Sequence, residues 1–323
     1  MKHNKSFHPR NKHIQGYDFQ KLCFSTPELK KFLTKSPQGT DTINFAHPEA
    51  VRALNKALLK SEYNIENWTI PDEQLCPPIP SRVDYIHHIA DLIGHKQDVR
   101  LLDIGTGANG IYALIAAAEY GWHAVGVDIN QGSLQNLQTI IDHNPQLQEL
   151  VTLKHQTDKH AHFTNIIQPE DTFTITVCNP PFHSSADEAL KANQRKNKNL
   201  GLKQQEEFNF GGIDPELWCK GGEALFLKKM VKDSVKFAQH CHWFTTLVSK
   251  QENLAPLEKQ IKKIFIKEMV DDIISINGKM GNIGIQLLIA NGVMTNMDIE
   301  MVSKEGDICF LIVYFSITSS RSL

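Results

Sequence analysis

Residues 172–185 read TFTITVCNPPFHSS, and an apolar, β-branched run from Phe173 to Cys178 ends abruptly in Asn179-Pro180-Pro181-Phe182. Two successive prolines donate no ladder hydrogen bonds, so a strand must stop here. On stopping it presents a neutral amide, a backbone stiffened by consecutive prolines, and a flat aromatic face on which a nucleobase can stack for ~1–3 kcal/mol. Upstream, a second strand runs into Asp103-Ile104-Gly105-Thr106-Gly107-Ala108-Asn109-Gly110. Gly105, Gly107 and Gly110 spell GxGxxG between a strand and a helix. Glycine permits positive φ and removes the Cβ, so a ligand can approach the backbone. Asp128 closes the next strand, where a carboxylate grips ribose hydroxyls in adenosine-binding folds. The pattern predicts an adenosine-containing cofactor at the glycine turn.

The elements that must position these residues alternate. VRLLDI (99–104), HAVGVDI (123–129), VTLKHQ (151–156), TFTITVC (172–178) and HWFTTLVS (242–249) read as strands. GIYALIAAAEYG (110–121), SLQNLQTIIDHN (133–144), GGEALFLKKMVKDSVKFA (221–238) and NLAPLEKQIKKIF (253–265) read as helices. Such alternation with short connections implies a parallel, doubly wound sheet. Ligands of these sheets bind beyond the carboxyl ends of the strands, near the switch in strand order. Before residue 81 the chain is basic and proline-rich, with one clear helix in HPEAVRALNKALLKSEY. LCPPIPSR (75–82) is expected to be stiff and extended, and VDYIHHIADLIG a helix closed by Gly94.

Bulk composition excludes more than it assigns. The formal net charge of −2 is no nucleic-acid signature, yet its distribution is uneven. Residues 1–35 hold eight Lys/Arg against two acids, whereas residues 271–323 hold three against six. Residues 189–205, just past the proline turn, hold five basic residues and no acid. A basic segment and a basic loop beside a pocket suit a polyphosphate partner. The six cysteines are scattered without a CxxC pair, so neither a zinc ribbon nor a disulfide framework is expected. The histidines lack carboxylate or cysteine company, so no metal is expected. MKHNKSFHPRNKH has no apolar core for a signal peptide, and the longest apolar run falls short of a membrane span. The expected compartment is cytoplasmic, with no membrane partner.

A dinucleotide is one occupant of such a turn. However, DIGTG resembles the first motif of class I methyltransferases, in which the acid, here Asp103, helps arrange the turn around the methionine part of S-adenosylmethionine. NPPF resembles the [DNS]PP[FYW] motif of enzymes that methylate planar amino nitrogens. The chemistry explains the residue types: the lone pair of an exocyclic adenine amine is conjugated with the ring. Hydrogen bonds from its N–H groups to the Asn179 side-chain oxygen and the Pro180 carbonyl would localise and aim it, with Phe182 supporting the base.

More broadly, HPRNKH, YDF, LCPPIPSRVDYIHHIADLI, LLDIGTGANGIY, CNPPFHSSADEA, NLGL, NFGG, ELWCKGGEALFLKKM and WFTTLVSKQENLAPL resemble the RlmF-type ribosomal RNA large subunit methyltransferases, from about residue 7 to about residue 269. The resemblance implies a class I, Rossmann-like α/β methyltransferase fold over 81–269, preceded by a basic, partly helical extension (1–80). It implies S-adenosylmethionine as donor and N6 of one adenine in 23S ribosomal RNA, free or in a pre-50S particle, as acceptor. Arg82 then matches an arginine reaching the cofactor carboxylate, and Asp103, Gly105, Gly107 and Asp128 match cofactor positions. Asn179, Pro180, Pro181 and Phe182 match the catalytic turn. Lys5, Arg10 and Lys12, with Arg195, Lys196 and Lys198 of the basic loop, are the expected RNA contacts.

One departure stands out. After Lys267-Glu268-Met269 relatives continue with a basic strand of the type QGxKxSRFIAW, whereas this chain turns acidic. Residues 270–323 are expected to form a divergent tail, disordered or contributing DICFLIVYFSIT as an edge strand. Three rival readings share parts of the pattern: a protein glutamine-N5 methyltransferase, a non-catalytic RNA-binding module of the same fold, and a nicotinamide-dependent oxidoreductase. The basic segments disfavour the first, the intact NPPF turn and Asp128 the second, and Asp103 with NPPF the third.

Overall fold

The computed structural model describes residues 7–72, 74–94, 96–185, 187–188, 217–261, 263, 301–303 and 309–314. After α1 (Phe19–Ser25), a hairpin pairs β1 (Leu33–Lys35) with β2 (Asp41–Ile43). Helices α2 (Pro48–Tyr63) and α3 (Ile79–Ile93) follow, and the alternating region begins. It runs β3 (Arg100–Ile104), α4 (Ile111–Tyr120), β4 (His123–Asp128), α5 (Gln131–Asp142), the single turn α6 (Pro145–Gln148), β5 (Val151–His155) and β6 (Phe173–Cys178). Then come α7 (Gly222–Ser234), β7 (Cys241–Val248) and a helical stretch, α8, over residues 254–261. The expected strands and α4 and α5 form within one or two residues of their sequence bounds, α7 ends four residues before its expected end at 238, and the expected end of α8 at 265 lies outside the described residues. The exception in kind is LCPPIPSR: residues 79–82 are helical rather than extended, because Pro80 sits in the first turn of α3, where a missing N–H costs nothing. The expected boundary at residue 80 therefore falls inside that turn.

The sheet order is β5-β4-β3-β6-β7-β9-β8. Strands β5, β4, β3, β6 and β7 are parallel. Strand β9 (Cys309–Tyr314) pairs antiparallel with β7, and β8 (Met301–Ser303) pairs antiparallel with β9 at the sheet edge. Part of DICFLIVYFSIT thus does enter the sheet, but with β8 outside it.

The direction of winding reverses at β3, which has β4 on one side and β6 on the other. Ile104 is in register with both Val127 and Cys178. The residues that follow, Gly105, Asp128 and Asn179, therefore leave three adjacent strands at one level, neighbouring strands being about 4.8 Å apart. Side chains alternate across the sheet. Leu101, Ala124, Ile175 and Val177 pack on one face against α3, α4 and α5. Leu102, Ile104, Val125 and Val127 face the other way, against Phe163, Ile166 and Met230.

The N-terminal segment is built into the first of these cores. Leu22, Leu29, Leu54, Leu58 and Trp68 are buried in the same cluster as Ile111 to Ala117 of α4. Its leading residues are also strapped to α3. The His8 backbone N–H donates to Asp84 Oδ1 at 2.6 Å, and the Asn11 amide donates to the Pro80 carbonyl at 2.9 Å. The His13 ring lies 3.1 Å from the Tyr63 hydroxyl.

Two local constraints fix the loops around the sheet. Gly110, with φ 57°, begins α4, and a Cβ there would lie 2.2 Å from Cδ1 of the fully buried Leu137. The Asp233 carboxylate accepts backbone N–H bonds from His162, Phe163 and Thr164 and a hydroxyl bond from Thr164, fastening the loop after β5 to α7. Burial alone would raise the Asp233 carboxyl. The N–H groups of Phe163 and His162, Lys236 and the Thr164 hydroxyl together hold it well below the usual range.

Gly110→Ala is expected to destabilise the protein by about 2–4 kcal/mol, combining left-handed backbone strain with overpacking, as read from urea unfolding midpoints. Asp233→Ala should cost about 2–4 kcal/mol by stranding buried donors. Because the folded-state value of Asp233 is depressed, its stabilisation is present above the unfolded carboxyl pKa near 4 and is lost as pH falls below it. Unfolding free energies from pH 6 to pH 2 should therefore fall less steeply in Asp233→Asn than in the parent.

Candidate active site

A cleft of about 580 Å³ opens at the carboxyl ends of β3, β4 and β6. Its lining includes Arg82, Gly105, Gly107, Asp128, Asn179 and Pro181. Residues separated by nearly a hundred positions along the chain thus share one pocket, of a size usual for small-molecule sites.

On the glycine side the turn is drawn against β4. The N–H groups of Gly105 and Thr106 both donate to the Val127 carbonyl, at 2.8 and 2.9 Å. The Gly107 N–H donates to Asp128 Oδ2 at 2.9 Å, and the Asn130 N–H to Oδ1 at 2.8 Å. Asp128 therefore shapes the turn, and its carboxylate lines the cleft where a ribose would lie. Gly105 has φ 73° and no atom within 4 Å of where a Cβ would be, so its backbone is open to a ligand. Behind the turn, the Trp68 indole N–H donates to the Asn109 carbonyl at 3.0 Å, and the Asn136 amide to the Ala108 carbonyl at 2.8 Å. The N-terminal segment and α5 thus brace the loop from outside.

Asp103 is fully buried. One carboxylate oxygen accepts the Thr106 hydroxyl at 2.8 Å, while Oδ1 is buried without a hydrogen-bond partner. Burial, the largest influence, pushes its carboxyl up to about 7. Arg82 is also buried, its guanidinium donating to the Tyr112 hydroxyl at 3.0 Å and lying 5.8 Å from that ring's centre. A buried guanidinium in the lining and a buried acid behind the open glycine turn, outside the lining itself, fit a ligand that carries a carboxylate and an ammonium at one end and a ribose at the other. That is the donor set S-adenosylmethionine requires.

On the proline side, Asn179 reaches the cleft with a buried Oδ1 that has no hydrogen-bond partner. Pro181 lines the cleft as well, whereas Pro180 is buried and Phe182 is not among the lining residues. Phe182 follows on the same turn and is half-buried. The aromatic lining comes from Tyr112, Trp218 and Phe226, with His162 edge-on to Phe226 at 4.5 Å between ring centres. Burial lowers the His162 imidazole to about 4, leaving it neutral near pH 7. Sequence reasoning did not single these residues out, because Trp218 and Phe226 lie in ELWCKGGEALFLKKM, which reads only as the entry to a helix.

Two of the expected RNA contacts are described. The Arg10 guanidinium donates to the His87 carbonyl at 2.9 Å and pairs with Asp91 at 2.7 Å. The Lys12 ammonium pairs with Glu119 at 2.6 Å. Both help hold the N-terminal strap in place while staying about 40 % exposed, at 45 % and 36 % of the side chain. Lys5, Arg195, Lys196 and Lys198 lie outside the described residues. Among the described residues no group of three or more His, Cys, Asp or Glu is arranged to hold a metal, and no helix is long and apolar enough to cross a membrane.

Comparison with known proteins gives this cleft its context. A family model described as RNA methyltransferase (Methyltransf_10) matches residues 1–280. The ribosomal RNA large subunit methyltransferase F of Saccharophagus degradans is 48% identical over 289 residues, covering 83% of this chain and 90% of that protein. The protein of the same name from Shewanella oneidensis is 49% identical over 291 residues, covering 86% and 79%. Among solved structures, the hMettl16 catalytic domain in complex with a MAT2A 3′UTR hairpin aligns with a TM-score of 0.71 at 26% identity, covering 96% of this chain and 95% of that one. The N-terminal domain of human METTL16 in complex with SAH shares the fold, with a TM-score of 0.68 at 24% identity and coverage of 96% and 98%. Identity of this level, carried across more than four-fifths of the chain and through both sides of the cleft, places the protein in the RNA methyltransferase family and makes it a class I methyltransferase.

Proposed function

We propose that this chain transfers a methyl group from S-adenosylmethionine to N6 of a specific adenine in 23S ribosomal RNA. The observation that carries this reading is the buried, partnerless Asn179 Oδ1 in the same cleft as the glycine turn. A buried acceptor without a partner costs about 1–3 kcal/mol unless a ligand supplies the donor, and an exocyclic amine supplies one. The names of the relatives support ribosomal RNA as the substrate class.

When bound, S-adenosylmethionine supplies a methyl group already activated by its sulfonium. The protein's task is alignment and charge placement. Asp128 holds the ribose end, Arg82 the carboxylate, and Asp103 the neighbouring ammonium. Asn179 Oδ1 accepts one amine hydrogen and the Pro180 carbonyl the other, directing the lone pair out of conjugation toward the donor. Asparagine carries no charge, which matches a neutral amine. The adenine must leave any stack to enter the cleft. Lys159, Lys220 and Lys229 line the same cleft and offer cations to flanking phosphates, with Lys5, Arg10, Lys12, Arg195, Lys196 and Lys198 extending the contact. The substrate form is free 23S RNA or a pre-50S particle, and the setting is the cytoplasm.

The deciding experiment offers labelled S-adenosylmethionine with deproteinised 23S RNA from cells lacking this protein, and separately with release-factor protein. Label in N6-methyladenine of the RNA is the expected result, and label in protein glutamine alone would replace this reading with the glutamine-N5 one. Asn179→Ala should remove nearly all turnover while the cofactor dissociation constant changes less than twofold by calorimetry. Asp128→Ala should weaken cofactor binding by about 1.5–3 kcal/mol through loss of a charged hydrogen bond, read by the same titration.

A further inference from the structure

We infer that Trp218 is a stacking surface for the target base beside the proline turn, a positioning role that rests on the methyltransferase reading above. Three observations converge on it. First, the cleft that holds Asn179 and Pro181 is also lined by Trp218. A planar base whose amine is aimed at Asn179 needs a flat surface nearby, and the indole offers the largest one among the lining residues.

Second, the indole is available. Trp218 is only half-buried, and among the described residues no ring packs against it. Phe226, the other candidate, already meets His162 edge-on at 4.5 Å.

Third, Trp218 is mechanically tied to the catalytic turn. His183 directly follows Asn179-Pro180-Pro181-Phe182 and forms a parallel bridge with Trp218. The His183 N–H donates to the Leu217 carbonyl at 2.9 Å, and the Cys219 N–H donates to the His183 carbonyl at 3.0 Å. This two-bond clamp makes the amide acceptor and the indole parts of one rigid unit. The Cys219 carbonyl in turn accepts the Gly222 N–H at 2.8 Å, anchoring the unit to the start of α7. A base could then be gripped at its edge by Asn179 and on its face by Trp218 without any change in the spacing between the two.

The test measures steady-state methylation of deproteinised 23S RNA by the parent, Trp218→Ala, Trp218→Leu and Trp218→Phe, with cofactor affinity by calorimetry. Stacking worth ~1–3 kcal/mol per base corresponds to a roughly 5- to 150-fold fall in kcat/KM for Ala and Leu, with Phe restoring most of it. Cofactor affinity should stay within twofold in all three, which a collapsed cleft would not allow. Tryptophan fluorescence of the parent should be quenched on RNA binding, and Trp218→Phe should abolish that quench while remaining active. A parent that methylates RNA alongside a Trp218→Leu protein of equal kcat/KM, or a quench that survives in Trp218→Phe, would overturn the inference alone. A parent that leaves 23S RNA unmethylated would overturn it together with the function on which it rests.

Discussion

The parallel pairing of β3 with β6 is the constraint on which this molecule depends. Because Ile104 and Cys178 are hydrogen-bonded neighbours, the glycine turn and the proline turn leave the sheet side by side. A shift by one residue would send Asn179 to the opposite face, since side chains alternate along a strand. The register is held by burial on both faces, with Leu101, Leu102, Ile175 and Val177 all inaccessible to solvent. On the other side of β6, the Tyr85 hydroxyl meets Thr245 Oγ1 and that hydroxyl donates to the Thr176 carbonyl at 2.6 Å, tying β7 to β6. The chemistry is therefore positioned by core packing rather than by the loops that carry it.

Electrostatics divides the cleft into two halves with different needs. Around the glycine turn the protein buries Asp103 and Arg82, two groups that would be costly to bury without compensation. Hydrogen bonds from Thr106 and to Tyr112 offset part of that cost, and a zwitterionic ligand would complete it. Around the proline turn the groups are neutral: an amide, a proline carbonyl, aromatic rings and an imidazole that burial keeps uncharged. Cations appear at Lys159, Lys220 and Lys229, all in the same lining. Such a gradient, charged for the donor, neutral for the base and cationic for phosphate, suits a substrate that carries its own charge away from the reacting atom.

The N-terminal segment gains a second meaning from its packing. Its basic composition suggested an arm laid along a polyanion. In the folded chain His8, Asn11 and His13 are buried and bind it to α2 and α3, and Trp68 reaches the glycine turn itself. Arg10 and Lys12 stand on this strap, ion-paired yet partly exposed. Exposed pairs of this kind are worth about 0–1 kcal/mol, so exchanging them for phosphates costs little, while the buried residues between them keep the strap in place.

Much of this was legible in the order of residues alone. Strand and helix periods announced a doubly wound sheet, and the three glycines with Asp128 marked the cofactor side. NPPF marked the acceptor side, because proline chemistry and amide chemistry act locally and need no partner to be recognised. What lay beyond reach depended on pairing across the chain. The helical start at Ile79 was hidden because Pro80 reads as a breaker unless its place in the first turn is known. Which side chains of the proline turn line the cleft was equally hidden, because that follows from the strand's register against β3. Trp218 was invisible for the same reason, since only the bridge to His183 brings it to the pocket. The sequence by itself determined the kinds of chemistry available, through residue types whose properties are local; only the tertiary structure decided which side chains meet, because that is set by hydrogen-bond register and burial between segments far apart in the chain.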